Sequence, residues 1–345
     1  MKRVLIISLN SGGTMGHGKI VSSLANYLSN KNKEVTILSD MPFTKNFDLL
    51  KKVVKKNIGM VPHENYTIGG MCHCSQKEEI FDYALKKNIE CVIFSTFFDL
   101  NLVKKFKEKG IKTILLSYPI RDTYRLALKQ NGAYSTFDKI VTLYEPCFTD
   151  KKMRNEILVN PLTLALNQLK KSEKYDILVT CGGGGRPSSK MFLRKVIRAF
   201  EKITKISPDR KLKIKIIKGN SKVTIKNKDI EKIIWTKDFA SLLSSSRVII
   251  SEAGFYTMLD LINYKKNAIL VPGERIIDNQ ELRALKLEEA KIGSVFFPFE
   301  KPIKLAEFIL HELDRSKSDK DTFDKIKKNF LKYQNLEEAI LKELK

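Results

Sequence analysis

Short, wholly apolar runs separated by longer amphipathic stretches recur along the chain. Val4–Leu9 is the first run; it leads into a glycine-rich loop, and apolar residues then return at helical spacing from Ile20 to Leu28. Val35–Leu38 reads as the next strand. Strand, glycine loop, helix and strand make a βαβ unit. Cys91–Ser95 and Thr113–Ser117 follow, each behind a lysine-rich amphipathic segment, and then Lys139–Leu143. Near-continuous apolar strands alternating with amphipathic helices predict an α/β fold with a parallel sheet covered on both faces.

The pattern then restarts. Tyr175–Thr180 is strand-like, Gly182–Gly185 is a second glycine loop, and Ser188–Thr204 has helical period with Ser188 and Ser189 as capping candidates. Lys213–Ile217, Ile233–Trp235, Val248–Ser251 and Ala268–Val271 supply further strands. Two doubly wound halves therefore follow one another, joined near Val159-Asn160-Pro161, with boundaries at 1–160 and 161–315. Residues 316–345 carry a charged amphipathic helical pattern with no strand after it.

Composition narrows the picture. At 345 residues the chain is long enough for two domains, and 43% hydrophobic residues exclude intrinsic disorder. The formal net charge is +24. It divides as 25 basic against 15 acidic residues in 1–160 and 38 against 24 in the remainder, so it is spread rather than gathered into a basic arm. With no RNP-like aromatic cluster or Cys/His module, nucleic acid is not the expected partner. Anionic substrates or an anionic membrane surface fit better, with Lys51–Lys56 and Leu102–Lys109 as the stretches expected to rest on such a surface. Five scattered cysteines do not form a disulfide framework. Cys72-His73-Cys74 with His63 supplies too few ligands at zinc spacing, so no metal is expected. The apolar run after Met1-Lys2-Arg3 is shorter than a secretory signal core, and no stretch is long enough to span a bilayer. A cytoplasmic protein, at most peripheral on the inner face of a membrane, is the expectation.

Candidate chemistry sits at the two glycine loops. A glycine turn lets backbone N–H groups approach an anion, and the following helix N-terminus adds a favourable dipole. The first loop is Gly12-Gly13-Thr14-Met15-Gly16-His17-Gly18-Lys19. It fits G-x-x-x-x-G-K, but Ile20 stands where a P-loop needs a Mg²⁺-binding hydroxyl. The glycine spacing also fails the Rossmann G-x-G-x-x-G fingerprint. His17, between two glycines at a helix entrance, has the near-neutral pKa of a general base and alternatively a phosphate-binding cation. The second loop is Gly182-Gly183-Gly184-Gly185-Arg186. A third region, Ser251-Glu252-Ala253-Gly254-Phe255-Tyr256-Thr257-Met258-Leu259-Asp260, ends a strand and opens a helix near Thr257. Its T-x-x-D reads either as a capping box or as a carboxylate reaching a ribose. Val271-Pro272-Gly273 and Asp278-Asn279-Gln280 follow, again at carboxyl ends of strands.

Taken in order, these residues resemble glycosyltransferase family 28. Gly12-Gly13-Thr14-Met15-Gly16-His17 is similar to the family's GGTxGH loop and Asn160-Pro161 to its interdomain NP. Trp235-Thr236 through Gly254 lines up with its aromatic-to-glycine segment; Thr257, Asp260, Pro272, Asp278 and Gln280 then follow in family order. The resemblance implies a GT-B fold, two Rossmann-like doubly wound parallel-sheet domains facing a cleft. It implies an N-terminal domain that binds a hydroxyl acceptor, often lipid-linked, and a C-terminal domain that binds a nucleotide-diphosphate sugar, usually a UDP-sugar. The last helix would cross back to the first domain. His17 would be the general base of an inverting, metal-independent displacement, with no cofactor. Gly13, Gly16, Gly183, Gly184, Gly254 and Thr257 would form the phosphate and donor site. Trp235 and Thr236 would read the base, Asp260 would take the ribose, and Asp278 and Gln280 would contact the sugar. Three departures stand out: Met15 for a smaller residue, Asp260 for the usual Glu, and Glu252 for a basic or neutral residue. A carboxylate at 252 repels a diphosphate unless it is turned away. A nucleotide-sugar hydrolase or UDP-sugar 2-epimerase of the same fold is the nearest alternative, although four histidines make the epimerase thinner. A P-loop-like nucleotide-binding or nucleic-acid-binding protein is more distant.

Overall fold

The computed structural model describes residues 2–8, 16–39, 71, 74, 76–146, 154–161, 174–236, 238–275, 278–314 and 320–345; of His17, Lys19 and Lys320 it describes the backbone only. These residues form two compact α/β units. The first combines the N-terminal half with Phe330–Lys345, and the second runs to Asn329.

The first unit contains β1 (Arg3–Ser8), α1 (Gly16–Asn30), β2 (Glu34–Ser39), α2 (Lys77–Lys86), β3 (Cys91–Ser95), α3 (Leu100–Glu108), β4 (Lys112–Ser117), α4 (Asp122–Gln130), α5 (Ala133–Thr136), β5 (Lys139–Leu143) and β6 (Glu156–Asn160). Its sheet runs β13-β6-β5-β4-β3-β1-β2, where β13 (Gln334–Asn335) comes from the far end of the chain; all pairings are parallel. Every residue of β3 is buried and Val4–Ile7 of β1 are fully so, as a sheet covered on both faces requires. Two strands here escape the apolar-run reading. β6 is the segment taken as the interdomain junction, and β13 interrupts what reads as a continuous helical tail. β13 pairs Gln334 with Val159 and Asn335 with Asn160. After it, α12 (Leu336–Glu343) lies against β5 and β6, and Lys112 Nζ meets Glu343 Oε2 at 2.9 Å.

The second unit contains β7 (Tyr175–Thr180), α6 (Pro187–Ile206), β8 (Ile214–Ile217), β9 (Ile230–Ile233), α7 (Phe239–Ser245), β10 (Ser246–Ser251), α8 (Phe255–Asn263), β11 (Ala268–Leu270), α9 (Gln280–Glu289), β12 (Gly293–Val295), α10 (Pro302–Asp314) and α11 (Lys320–Phe330, its last residue counted with the first unit). Its parallel sheet runs β12-β11-β10-β7-β8-β9. Phe192, Leu193, Val196, Ala199, Phe200 and Ile203 recur at helical period on α6 and pack with Leu305, Ala306 and Ile309 of α10 over Ile177, Val179, Val248 and Ile250. The intervening Leu178 and Ile249 point to the other face and are also fully buried. α11 stays with this unit, where Lys265 Nζ meets Asp324 Oδ2 at 2.6 Å.

Four local readings are corrected. The strand expected at Ile233–Trp235 is β9, which ends at Ile233, so Trp235 and Thr236 lie in the loop beyond it. α6 is entered through Arg186 with Pro187 at its first position; Ser188 and Ser189 are inside the helix and do not cap it. α8 starts at Phe255 with Gly254 at its N-cap, so Thr257 is inside the helix and the capping-box reading fails. Leu102, Val103 and Phe106, expected on a membrane-facing side of Leu102–Lys109, are buried in the core of the first unit. Lys51–Lys56, His63, Cys72, His73 and Cys147 lie outside the described residues.

Candidate functional site

Each sheet reverses its strand order once, and an open α/β sheet binds ligands at the carboxyl ends of the strands flanking that reversal. In the second unit the flanking strands are β7 and β10, paired with Ser251 opposite Thr180. The segments that leave them, Cys181–Arg186 and Glu252–Gly254, each run straight into a helix. Neither α6 nor α8 has an N-cap side chain bonded to its first turn. Two adjacent helix N-termini thus present backbone donors and positive dipole ends at the same sheet edge.

The glycines of this edge are glycine for different reasons. Gly184 has φ +68°, and a Cβ there would stand 2.2 Å from the Lys218 carbonyl oxygen. Gly219 has φ +56°, and its Cβ would stand 2.5 Å from the Gly183 carbonyl. Asn220 N donates to Gly183 O at 2.8 Å, and Cys181 Sγ donates to Lys218 O at 3.3 Å, so the loops after β7 and β8 are locked together. Burial and the neighbouring Glu252 carboxylate push the Cys181 thiol up to about 12, so it stays protonated. Gly254 is unlike these. Its φ of −68° and ψ of 144° suit any residue, and a Cβ there would meet only Thr257 Oγ1, at 3.7 Å. Nothing among the described residues requires glycine at 254.

Thr257 and Asp260 lie three residues apart on α8, Thr257 half-buried and Asp260 buried. Trp235 and Thr236 are half-buried beyond β9, where the Thr236 hydroxyl accepts from Asp238 N at 3.0 Å. Asp278 and Gln280 are engaged with the chain itself. Both Asp278 oxygens bind Arg283, and Gln280 Oε1 accepts from Gly273 N at 2.9 Å. Gln280 therefore fixes the turn after Pro272.

Glu252 does not face outward as a bare charge. Its Oε2 accepts from Ser189 Oγ and from Arg275 Nη2, each at 3.0 Å, and Arg275 Nη1 also bonds the Ser188 hydroxyl. Burial raises the Glu252 carboxyl above the ordinary range, against the opposing pull of Arg275 and Ser189.

In the first unit the reversal lies between β1 and β3. The loop after β1 leads into α1, which begins at Gly16-His17; Gly12, Gly13 and Met15 lie outside the described residues, as does the side chain of His17. After β3 the chain turns about Thr96, at φ +70°, with Phe97 N donating to Ser95 O at 2.8 Å, a tight γ-turn. This turn delivers Asp99 to the N-cap of α3, where its carboxylate accepts from Asn101 N and Leu102 N and also from Cys74 N. The backbone N–H groups of the α3 terminus are therefore capped by the chain's own carboxylate, whereas no N-cap side chain does this at α6 or α8.

Residues 176–338 match the glycosyltransferase family 28 C-terminal domain. That match takes in most of the second unit. Among solved structures, MurG of Acinetobacter baumannii superposes with a TM-score of 0.59 at 13% identity, covering 99% of this chain and 98% of that one. The spinosyn forosaminyltransferase SpnP gives 0.67 at 12% identity, covering 99% of both chains. VinC, solved in complex with dTDP, gives 0.63 at 14% identity over 99% and 98%. No protein of curated function matches the sequence. At these identities the structures share the fold, which is GT-B.

The match to this domain supports a glycosyltransferase that takes its sugar from a nucleotide-sugar. Sequence reasoning missed Gly219, Arg275 and Arg283. Gly219 stands alone in sequence, outside any glycine run. The two arginines lie among many basic residues, and only the fold separates them. Among the described residues no group of three or more His, Cys, Asp or Glu side chains converges as metal ligands would, and no helix is long and apolar enough to cross a membrane.

Proposed function

We propose that this enzyme is an inverting, metal-independent glycosyltransferase that moves a sugar from a UDP-sugar to a hydroxyl acceptor. The observation that carries the reading is the pair of uncapped helix N-termini, α6 and α8, at the carboxyl ends of β7 and β10. Charge develops on the donor diphosphate as the glycosidic bond breaks. Fixed N–H donors and helix dipoles stabilise that charge without reorganising, which is the role a cation plays elsewhere. Gly183, Gly184 and Thr257 hold the diphosphate in this reading, together with Gly13 and Gly16 on the first loop. The unconstrained Gly254 lets the phosphate approach closely. Trp235 and Thr236 read the base, Asp260 takes the ribose hydroxyls, and Asp278 and Gln280 face the sugar. His17 accepts the proton of the acceptor hydroxyl as its oxygen attacks the anomeric carbon, inverting it. The acceptor is lipid-linked and met at an anionic membrane surface; a charge of +24 shared by both halves of the chain supports this.

The test is release of UDP from UDP-sugars with and without a membrane extract. The expected result is release that depends on the extract, a product of inverted anomeric configuration by NMR, and a loss of about 10²–10⁴-fold in His17→Ala. Release into water alone would instead identify a nucleotide-sugar hydrolase. Undiminished transfer by His17→Ala would remove the general-base assignment.

A further inference from the structure

Arg275 reaches the first turn of α6 from the loop after β11, far away in sequence. Its Nη1 bonds the hydroxyl of Ser188, the second residue of that helix, and also Glu274 O at 2.9 Å; its Nη2 bonds Glu252 Oε2 at 3.0 Å. A cation at a helix N-terminus opposes the dipole and is costly there unless an anion accompanies it. Glu252 supplies that anion in the protein itself. It does so at 5% exposure, and its second oxygen, Oε1, is buried with no hydrogen-bond partner. A buried ion pair with an unsatisfied carboxylate oxygen is poorly explained as a stabilising device, because desolvation offsets most of the attraction. A phosphate at the same terminus would instead be drawn to a positive side chain set at this place.

We propose that Arg275 is a ligand of the donor diphosphate, held at the α6 N-terminus by Glu252 as its internal counter-ion. The proposal rests on the donor assignment above. It extends that assignment to a residue which lies outside the glycine loops. A guanidinium offers paired donors to phosphate oxygens, and this one is anchored beside the helix donors that would bind the same group. Glu252 then has a function at a position where a carboxylate otherwise repels the donor. It keeps Arg275 in place against the dipole while leaving the pair nearly neutral.

The experiment is calorimetric titration of the full chain with UDP, dTDP, GDP, ADP and CDP, and with the nucleoside of whichever diphosphate binds best. Arg275→Gln is expected to weaken the diphosphate about tenfold or more while leaving the nucleoside within about twofold. The double variant Arg275→Gln/Glu252→Gln separates contact from neutralisation. If Arg275 touches the diphosphate, the double variant stays weak. If Arg275 only neutralises Glu252, the double variant regains wild-type diphosphate affinity and the proposal is overturned. Equal weakening of diphosphate and nucleoside in Arg275→Gln also overturns it, in favour of a structural role. Should Arg275→Gln not fold, Arg275→Lys and the double variant carry the same comparison. Wild-type protein that binds none of the five diphosphates overturns the donor assignment itself.

Discussion

Arg283 grips Asp278 with both terminal nitrogens, Nη2 to Oδ1 at 2.7 Å and Nη1 to Oδ2 at 3.1 Å, while its own side chain is wholly buried. Nη1 also donates to Ala253 O at 2.9 Å, and the guanidinium lies 5.5 Å from the Phe255 ring centroid. One side chain therefore joins the loop before α9 to the entrance of α8.

Removing that link should loosen both loops together. Arg283→Met removes both Arg283 bonds to Asp278 and the one to the Ala253 carbonyl. The cost of breaking a buried pair is roughly 3–5 kcal/mol. Asp278 is 29% exposed and can rehydrate, which favours the lower end. Arg283→Lys keeps the charge but loses the fork and should recover only part of the stability. Urea unfolding measures both. A loss below about 1 kcal/mol in Arg283→Met would show that the grip is dispensable.

Gly182 and Gly184 sit in one loop, both at positive φ, yet they should respond differently to alanine. At Gly182, φ +59°, an added Cβ meets nothing within 4 Å, so Gly182→Ala carries only the strain of a left-handed residue, about 1–2 kcal/mol. At Gly184 the same methyl collides with the Lys218 carbonyl and must displace the loop after β8. Gly184→Ala should be the more destabilising of the two and should lower donor affinity as well. Equal melting temperatures for the two variants would contradict the locked-loop geometry.

Much of this fold can be read along the chain because the central strands are fully buried and hence continuously apolar. Cys91–Ser95, Lys139–Leu143 and Tyr175–Thr180 are strands with the bounds the pattern predicts. The less apolar or shorter strands, β6, β12 and β13, carry too little signal of their own. β13 exists only because two residues reach β6 from 175 positions away, Asn335 pairing with Asn160. The glycine loops are legible for the same local reason. What glycine does at each position is not, because Gly184 is dictated by Lys218 and Gly254 by nothing among the described residues. The same holds for Glu252, whose charge looked adverse until the fold brought Arg275 and Ser189 to it.

Stability should also record the burial of Glu252. Its carboxyl is raised above 4.5, chiefly by desolvation, with Arg275 opposing. The folded protein therefore holds this proton more tightly than the unfolded chain does. The resulting stabilisation is fully present below the unfolded value and is lost as pH rises through the folded one. Glu252→Gln lacks this dependence. The stability of wild type relative to Glu252→Gln should thus be more favourable near pH 5 than at pH 8 when both are followed by urea unfolding. A difference that is flat across this range would show that Arg275 fully offsets the burial.

The apolar side of α3 belongs to the core and should behave so. Phe106 is fully buried, 5.5 Å from the Phe81 ring and 6.2 Å from Phe94, centroid to centroid. Phe106→Ala should cost about 3–5 kcal/mol in the first unit, seen as a lowered unfolding midpoint. The lysines of the exposed side are engaged in part with the protein's own acids. Lys105 pairs with Glu78, and Lys107 Nζ lies 3.4 Å from Asp138 Oδ1. Reversing the charge of the exposed Lys104 and Lys109 to Glu should therefore leave sedimentation with anionic liposomes at low salt within about twofold of wild type. If that double reversal abolishes liposome binding, α3 does face the membrane through its charges. If Phe106→Ala releases the protein from liposomes without lowering its unfolding midpoint, the core assignment of α3 fails instead.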